Sequence, residues 1–352
     1  MRILHVMAGA PEGGAENIML ESTLALAGAG FKQAVVTRPD NAWRISRLGE
    51  AGVEVTTASF SRLWPFPTRG VIHRTIEAFQ PDVIEYWMGR AGQFAPARWR
   101  DRSIGWYGGY YKRSRFNNCD WHVGLTRDLL RHIRDQGVGE DRSSIIHTYA
   151  DFEGSPAVER SALGAPSDAP LALALARLHP KKGLDTLLEA TAQIPELHVW
   201  IAGDGPIEAE LKAQCARLGL GSRVRFLGWR NDRGALLAAS TFVAFPSRYE
   251  PFGTVTVDAW AAGRPLVAAD AVGPAAYVED GVSGLLVPKD NPAALAAAMR
   301  RVISEPGLAA RLVEGGRISY EAQFTKAAFI RDSTALYERI QKAATSKFPA
   351  RL

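Results

Sequence analysis

The sequence predicts two doubly wound α/β domains in one chain, each a parallel sheet covered by helices. Three observations predict it. Its apolar runs are continuous rather than alternating, helical stretches separate many of them, and the chain is 352 residues long. Strands buried on both faces read as unbroken apolar runs, and parallel strands need crossover helices. A domain commonly takes about 100–200 residues, so this length accommodates two.

Strand-like runs fall in the first half at 3–7, 33–38, 53–57, 82–87, 122–126 and 144–149. In the second half they fall at 171–177, 198–203, 224–228, 241–246, 265–269 and 284–287. Leu171-Ala172-Leu173-Ala174-Leu175 is the clearest continuous run. Between them, a helical stretch at 18–26 ends at Gly28 and Gly30, one at 186–192 stops before Pro195, and one at 207–218 stops at Gly219. Glycine and proline end helices in this way. An Ala-rich helix is expected at 293–299, and a final one at 326–344 carries Phe329, Ile330, Leu336, Tyr337 and Ile340. The boundary is expected in 152–170, where Gly154, Pro156, Gly164, Pro166, Ser167 and Pro170 cluster. The domains are therefore drawn as 1–160 and 168–322, with a helical segment, 323–352, crossing back to the first domain.

The hydrophobic fraction of 47% allows each half a core, and the net charge of +5 favours anionic partners: phosphates, nucleic acid or an acidic membrane surface. Cys119 and Cys215 form no C-x-x-C and read as reduced thiols of a cytosolic protein. The first apolar run is too short for a signal peptide, and no stretch reaches the roughly 20 apolar residues of a membrane span. The expected location is the cytoplasm, with peripheral attachment to the inner face of the cytoplasmic membrane left open. The seven histidines are scattered without ligand spacing, so no metal site is expected.

Four strand-to-helix turns carry candidate chemistry. Gly13-Gly14-Ala15-Glu16 follows the first strand, where glycines let backbone N–H groups approach an anion; an ordinary tight turn reads the same. Arg177 and Lys182 flank the turn after 171–177, where two cations can neutralise a diphosphate. Gly203-Asp204-Gly205-Pro206 is a third turn, for which glycine conformations alone are sufficient reason. The strongest is Pro246-Ser247-Arg248-Tyr249-Glu250-Pro251-Phe252-Gly253-Thr254, with Asp258 beyond it. Glu250 hangs over the strand ends there. The N–H groups of Gly253 and Thr254 face an anion, and Asp258 lies roughly 6 Å further along the helix axis. Two carboxylates so spaced suit hydroxyls at both ends of a nucleotide-sugar.

A fifth feature is the stretch 90–134. Arg90, Arg98, Arg100, Arg102, Lys112, Arg113, Arg115, Arg127, Arg131 and Arg134 face only Asp101, Asp120 and Asp128. Trp99, Trp106, Tyr107, Tyr110, Tyr111, Phe116 and Trp121 are interleaved. Such a stretch suits nucleic acid, anionic lipid head groups or phosphorylated glycans, or is a solvated basic face over core aromatics. Leu63-Trp64-Pro65-Phe66-Pro67 adds aromatics in a loop that meets a membrane or packs.

Taken together and in order, these elements resemble the family 4 retaining glycosyltransferases of the GT-B fold, two Rossmann-like domains facing across a cleft. Ala176-Arg177-Leu178-His179-Pro180-Lys181-Lys182-Gly183 resembles that family's GRL-x-x-x-KG. Ala202-Gly203-Asp204-Gly205-Pro206 resembles its AGDGP, and Glu250 through Asp258 its E-x7-E. The resemblance implies that Arg177 and Lys182 bind the donor diphosphate, Glu250 the transferred sugar, and Asp258 the ribose. Gly13, Gly14, Gly203, Gly253 and Thr254 would line the nucleotide-sugar, which is a UDP- or GDP-sugar and a co-substrate; no cofactor is implied. Asp258 departs from the family's usual Glu by one methylene. Gly105-Trp106-Tyr107-Gly108-Gly109-Tyr110-Tyr111 lacks the histidine that many members carry. It is similar instead to a subgroup linked to lipopolysaccharide core synthesis. The implied function is transfer, with retention and without metal, to a glycan or lipid-linked acceptor held by the first domain. Tyr107, Lys112, Arg113 and Arg115 are the acceptor or membrane candidates, on an anionic membrane surface and not on nucleic acid. A nucleotide-sugar epimerase and a non-catalytic sugar-nucleotide or lipid-binding scaffold are the alternatives.

Overall fold

The computed structural model describes residues 1–10, 13–152 and 154–347. They form two compact units: Met1–Thr148 together with the chain from Lys326 onward, and Tyr149–Thr325.

In the first unit the strands are β1 (Arg2–Met7), β2 (Lys32–Thr37), β3 (Glu54–Thr57), β4 (Val83–Trp87), β5 (Ser103–Tyr107), β6 (Trp121–Gly124) and β7 (Ser143–Ile145). They pair in parallel in the order β3-β2-β1-β4-β5-β6-β7. In the second unit β8 (Leu171–Leu175), β9 (His198–Ala202), β10 (Val224–Gly228), β11 (Phe242–Phe245), β12 (Leu266–Ala269) and β13 (Leu285–Val287) pair in parallel as β10-β9-β8-β11-β12-β13. Each sheet starts in its middle, winds outward, then reverses. The reversal lies between β1 and β4 in one sheet and between β8 and β11 in the other. In such sheets ligands bind beyond the carboxyl ends of the strands at the reversal.

The apolar runs become strands because both faces are covered. Leu184, Leu187 and Leu188 of the helix Leu184–Ala192 pack with Leu295 and Met299 of Pro292–Ser304 around Ala172, Ala174, Val199 and Ile201. Each fully buried Leu, Ile or Met contributes about 1.5–3 kcal/mol. In the first unit, Ile72 and Ile76 of the helix Phe66–Phe79 cover Leu4, Val6, Ile84 and Tyr86. The first sheet also buries a polar chain. Gln33 Nε2 donates to the Thr23 carbonyl at 2.8 Å, which turns its Oε1 toward His5 Nε2 at 2.7 Å. His5 Nδ1 then faces the Glu85 carboxylate at 2.9 Å, and Tyr337 donates to Glu85 Oε1 at 2.7 Å. The Trp87 indole also donates to His5 Nδ1 at 3.2 Å, and Glu85 Oε2 is left facing His5 without a hydrogen-bond donor.

Two segments differ from the sequence expectation. β5 lies within the basic and aromatic stretch 90–134, where no strand was expected before 122. Gly105 weakens its strand signal. It is required because a Cβ there would lie 2.6 Å from the Phe116 ring. The Gly- and Pro-rich stretch expected as the boundary belongs, over residues 154–170, to the second unit. Val158 N donates to the Ala235 carbonyl at 3.2 Å, and the Arg160 guanidinium to the carbonyls of Ala239 and Ala169 at 2.7 and 2.9 Å. The helix Lys326–Lys347 belongs to the first unit, with the Tyr337 ring 6.0 Å from that of Phe31. Among the described residues no helix is long and apolar enough to cross a membrane. Cys119 and Cys215 are free and buried, and burial pushes both thiols up.

Candidate active site

At the reversal of the second sheet, the turns after β8 and β11 converge. Lys182, in the turn after β8, donates from Nζ to Glu250 Oε2 at 2.5 Å. Glu250 lies in the turn after β11. The pair is 25% and 15% exposed, so it is partly withdrawn from water yet reachable. Glycine makes the close approach possible. Gly183 sits at φ 63°, and a Cβ there would lie 2.1 Å from the Pro246 carbonyl oxygen. Gly203, at φ 144°, would bring a Cβ to 2.0 Å from the Ala176 oxygen. Side chains at either position would force apart the turns that carry Lys182, Glu250 and Arg177.

Backbone hydrogen bonds bind the turns to one another. Arg248 N donates to the Lys181 carbonyl at 2.9 Å, Leu178 N to that of Asp204 at 2.6 Å, and Gly273 N to that of Glu250 at 2.8 Å. Gly253, at φ 88°, precedes the helix Thr254–Ala261, so the N–H groups of Gly253 and Thr254 stand next to Glu250. Arg177 is exposed beyond β8. Asp258 is buried, 7% exposed, and faces the Arg233 guanidinium at 3.7 Å. Sequence reasoning assigned no role to Arg248. It donates to both Asp185 oxygens at 2.7 Å, to the Pro180 carbonyl at 2.6 Å and to Asp290. Burial alone would raise the Asp185 carboxyl, but the Arg248 hydrogen bonds and charge outweigh it and hold it below the usual range. The same bonds hold Arg248 above its ordinary value. Only its place in the turn beside Glu250 signalled it, since its partners lie far off in sequence.

In the first unit, Gly13 precedes the helix Gly14–Gly28, with Gly14 as its first residue. The anion at this turn is the chain's own. Glu16 is buried, its Oε1 accepting from Ala10 N at 2.7 Å. The stretch 90–134 is less basic in space than in sequence. Arg98 pairs with Glu77, Arg100 with Asp120, Arg102 with Asp101, Arg131 with Asp128 and Arg134 with Glu140. Lys112, Arg113 and Arg115 remain exposed and without carboxylate partners among the described residues. Tyr107, grouped with them as a surface candidate, is fully buried. Its ring lies 4.5 Å from that of Phe116 and its hydroxyl 3.3 Å from His122 Nδ1. Trp106, Phe116 and Trp121 are buried too, so these aromatics build the core instead of a surface. Burial first, then the Arg113 charge, lowers His122 to about 4 despite Asp120. Among the described residues no group of His, Cys, Asp and Glu could hold a metal ion.

Residues 157–319 match the family described as glycosyl transferases group 1. Over 342 residues the chain is 31% identical to the lipopolysaccharide core biosynthesis glycosyltransferase LpsD of Rhizobium meliloti, covering 96% of this chain and 98% of the relative. The chain belongs to the group 1 glycosyltransferases. LpsE of the same organism, also a lipopolysaccharide core biosynthesis glycosyltransferase, is 32% identical over 336 residues, or 93% and 96% of the two chains. The fold is that of Anabaena Alr3699/HepE, solved in complex with UDP-glucose, at a TM-score of 0.84 and 23% identity over 96% of this chain and 100% of that one. As a group 1 glycosyltransferase of the GT-B fold, the protein is an enzyme, and the epimerase and scaffold alternatives find no support among these relatives.

Proposed function

We propose that the second unit binds a uridine diphosphate sugar and that the first unit holds a glycan or lipid-linked acceptor of the cell envelope. The observation that carries the donor reading is the meeting of Lys182 and Glu250 at the reversal of the second sheet, 2.5 Å apart. Without a donor, each neutralises the other. With one, Lys182 turns to the diphosphate beside Arg177, and Glu250 is released to the hydroxyls of the transferred sugar. Asp258 takes the ribose, and the N–H groups of Gly253 and Thr254 face the phosphates. The bond from the anomeric carbon to the phosphate oxygen breaks, and its electron pair stays with the diphosphate. Arg177 and Lys182 stabilise the charge that develops there. The acceptor hydroxyl attacks from the same face and passes its proton to the departing phosphate oxygen, so configuration is retained.

Relatives described as lipopolysaccharide core glycosyltransferases support the acceptor class. The solved UDP-glucose complex supports the nucleotide. On the acceptor side, the exposed Lys112, Arg113 and Arg115 would meet an anionic membrane surface on the cytoplasmic side. The test is UDP release from UDP-sugars, with and without envelope glycan extracts. Acceptor-stimulated release, with the product anomer matching the donor, is expected. Activity should persist in EDTA, since two cations replace a metal at the leaving group; loss restored by magnesium or manganese would refute that assignment.

A further inference from the structure

Unpaired cations and exposed aromatics do coincide on the first unit, where Arg90 and Arg115 of the stretch 90–134 meet Arg38, Arg62 and the aromatic turn at 63–67 from outside it. Arg38 follows β2, Arg62 follows β3 and Arg90 follows β4, all at carboxyl ends of strands. Backbone contacts gather them. Ala58 N donates to the Thr37 carbonyl at 2.9 Å, setting the ends of β2 and β3 side by side. Arg90 Nη2 donates to the Phe60 carbonyl at 2.8 Å, which brings it to the turn that carries Arg62. Arg115 lies over Gly89, where a Cβ would stand 3.2 Å from its Cγ. Among the described residues no carboxylate pairs with any of the four. Burial lowers the Arg90 guanidinium first, and the charges of Arg62, Arg38 and Arg115 lower it further. Against the cluster, Leu63, Trp64 and Phe66 project into solvent at 93%, 66% and 67% exposure. The Trp64 and Phe66 rings meet edge to face at 5.8 Å. Phe60 anchors this turn, buried against Phe94 with its N–H on Thr68 Oγ1 at 3.0 Å.

We propose that Arg38, Arg62, Arg90 and Arg115 form a seat for the phosphoryl head of a membrane amphiphile, with Leu63, Trp64 and Phe66 entering its apolar layer. Guanidinium forks match phosphate oxygens, and an anion relieves the mutual repulsion of four like charges. A soluble phosphate would need the arginines alone. The apolar tip beside them is explained by a bilayer, where Trp sits at the head-group level. The inference rests on the reading that the first unit meets an anionic membrane, and adds where and how it does so.

The experiment is sedimentation with phosphatidylcholine vesicles, with and without phosphatidylglycerol. Wild type should bind only the mixed vesicles. Arg62→Ser with Arg90→Gln should lower binding by about thirtyfold, since each cation near an anionic leaflet is worth about a factor of five. Trp64→Ser with Phe66→Ser should weaken vesicle binding at least about tenfold while leaving the melting temperature unchanged, as both side chains are exposed. Lys182→Ala, which disables the donor site, should bind vesicles normally. Failure of wild type to prefer phosphatidylglycerol overturns the membrane reading itself. Wild-type binding that survives in the arginine variant overturns this seat and leaves Lys112 and Arg113 as the contact. Loss in the arginine variant without loss in the aromatic variant keeps the arginines on the lipid head groups and overturns the entry of Leu63, Trp64 and Phe66 into the apolar layer.

Discussion

The two sheets share a strand order up to their sixth strand, yet their carboxyl ends are finished in opposite ways. In the second unit the charges around the site are largely matched within the chain: Lys182 with Glu250, Arg248 with Asp185 and Asp290, Arg233 with Asp258, while Arg177 stands exposed. The turns are also joined by backbone hydrogen bonds. In the first unit Arg38, Arg62, Arg90 and Arg115 stand together unneutralised beside exposed aromatics. Topology provides the place for a ligand, and the turn chemistry decides its preparation. A site that releases one ion pair to take up a diphosphate is held in shape beforehand. A patch of unmatched charge attracts its partner over longer distances and is sensitive to salt.

The largest expected effect tests the first half of this contrast. Lys182→Ala should lower turnover by about a hundredfold, and Arg177→Ala by at least about tenfold, as each loses a charge at the leaving group. Near-wild-type turnover in either folded variant would remove that residue from the site. The next effect is acid sensitivity in the first unit. His122 is held neutral, at about 4, against an unfolded value of about 6.5. Its folded value is depressed, so the unfolded chain binds more protons as pH falls. Stability is complete above about pH 7 and is lost between 6.5 and 4, by about 2 kcal/mol at pH 5. Urea midpoints across this range, with His122→Asn as the control lacking the slope, check it.

Asp258 sharpens the comparison within the second unit. Asp258→Ala should raise the donor KM by about tenfold with little change in the acceptor KM, and Asp258→Glu should be tolerated. A donor KM unchanged in Asp258→Ala would leave this carboxylate as the partner of Arg233 only. The smallest effect concerns Arg248. Arg248→Leu should cost about 1 kcal/mol of stability, because its hydrogen bonds to charged partners are largely open to water. It should lower turnover several-fold by loosening the turns that carry Lys182 and Glu250. Calorimetry together with kinetics separates the two outcomes.

The sequence was most readable where burial is double-sided. Runs such as 171–175 tolerate no polar residue, and twelve of the thirteen strands among the described residues, all but β5, fall on strand-like runs, several of them continuously apolar. The pairing of Lys182 with Glu250 was implied by two strand ends and a resemblance, but their contact depends on Gly183, whose neighbour Pro246 lies more than sixty residues away. The stretch 90–134 was overcounted for the same reason. Glu77 and Glu140, which neutralise Arg98 and Arg134, lie outside it in sequence. Composition also cannot separate Tyr107, locked against Phe116, from Trp64, which has no wall to pack on. Both are aromatics next to arginines, and only the sheet decides which faces inward.

The last helix has a consequence for how the molecule is made. The first unit is discontinuous in sequence: it opens the chain, yields to Tyr149–Thr325, and resumes at Lys326. Until Tyr337 emerges, the Glu85 carboxylate lacks the hydroxyl that donates to it, and Phe31 lacks the ring that covers it. A ribosome delivers the second unit's complete stretch before it delivers this missing piece. Domains generally fold as units during synthesis. The inserted unit can therefore finish first, while the N-terminal one waits, incomplete and open to chaperones, for the final twenty-two-residue helix to close it.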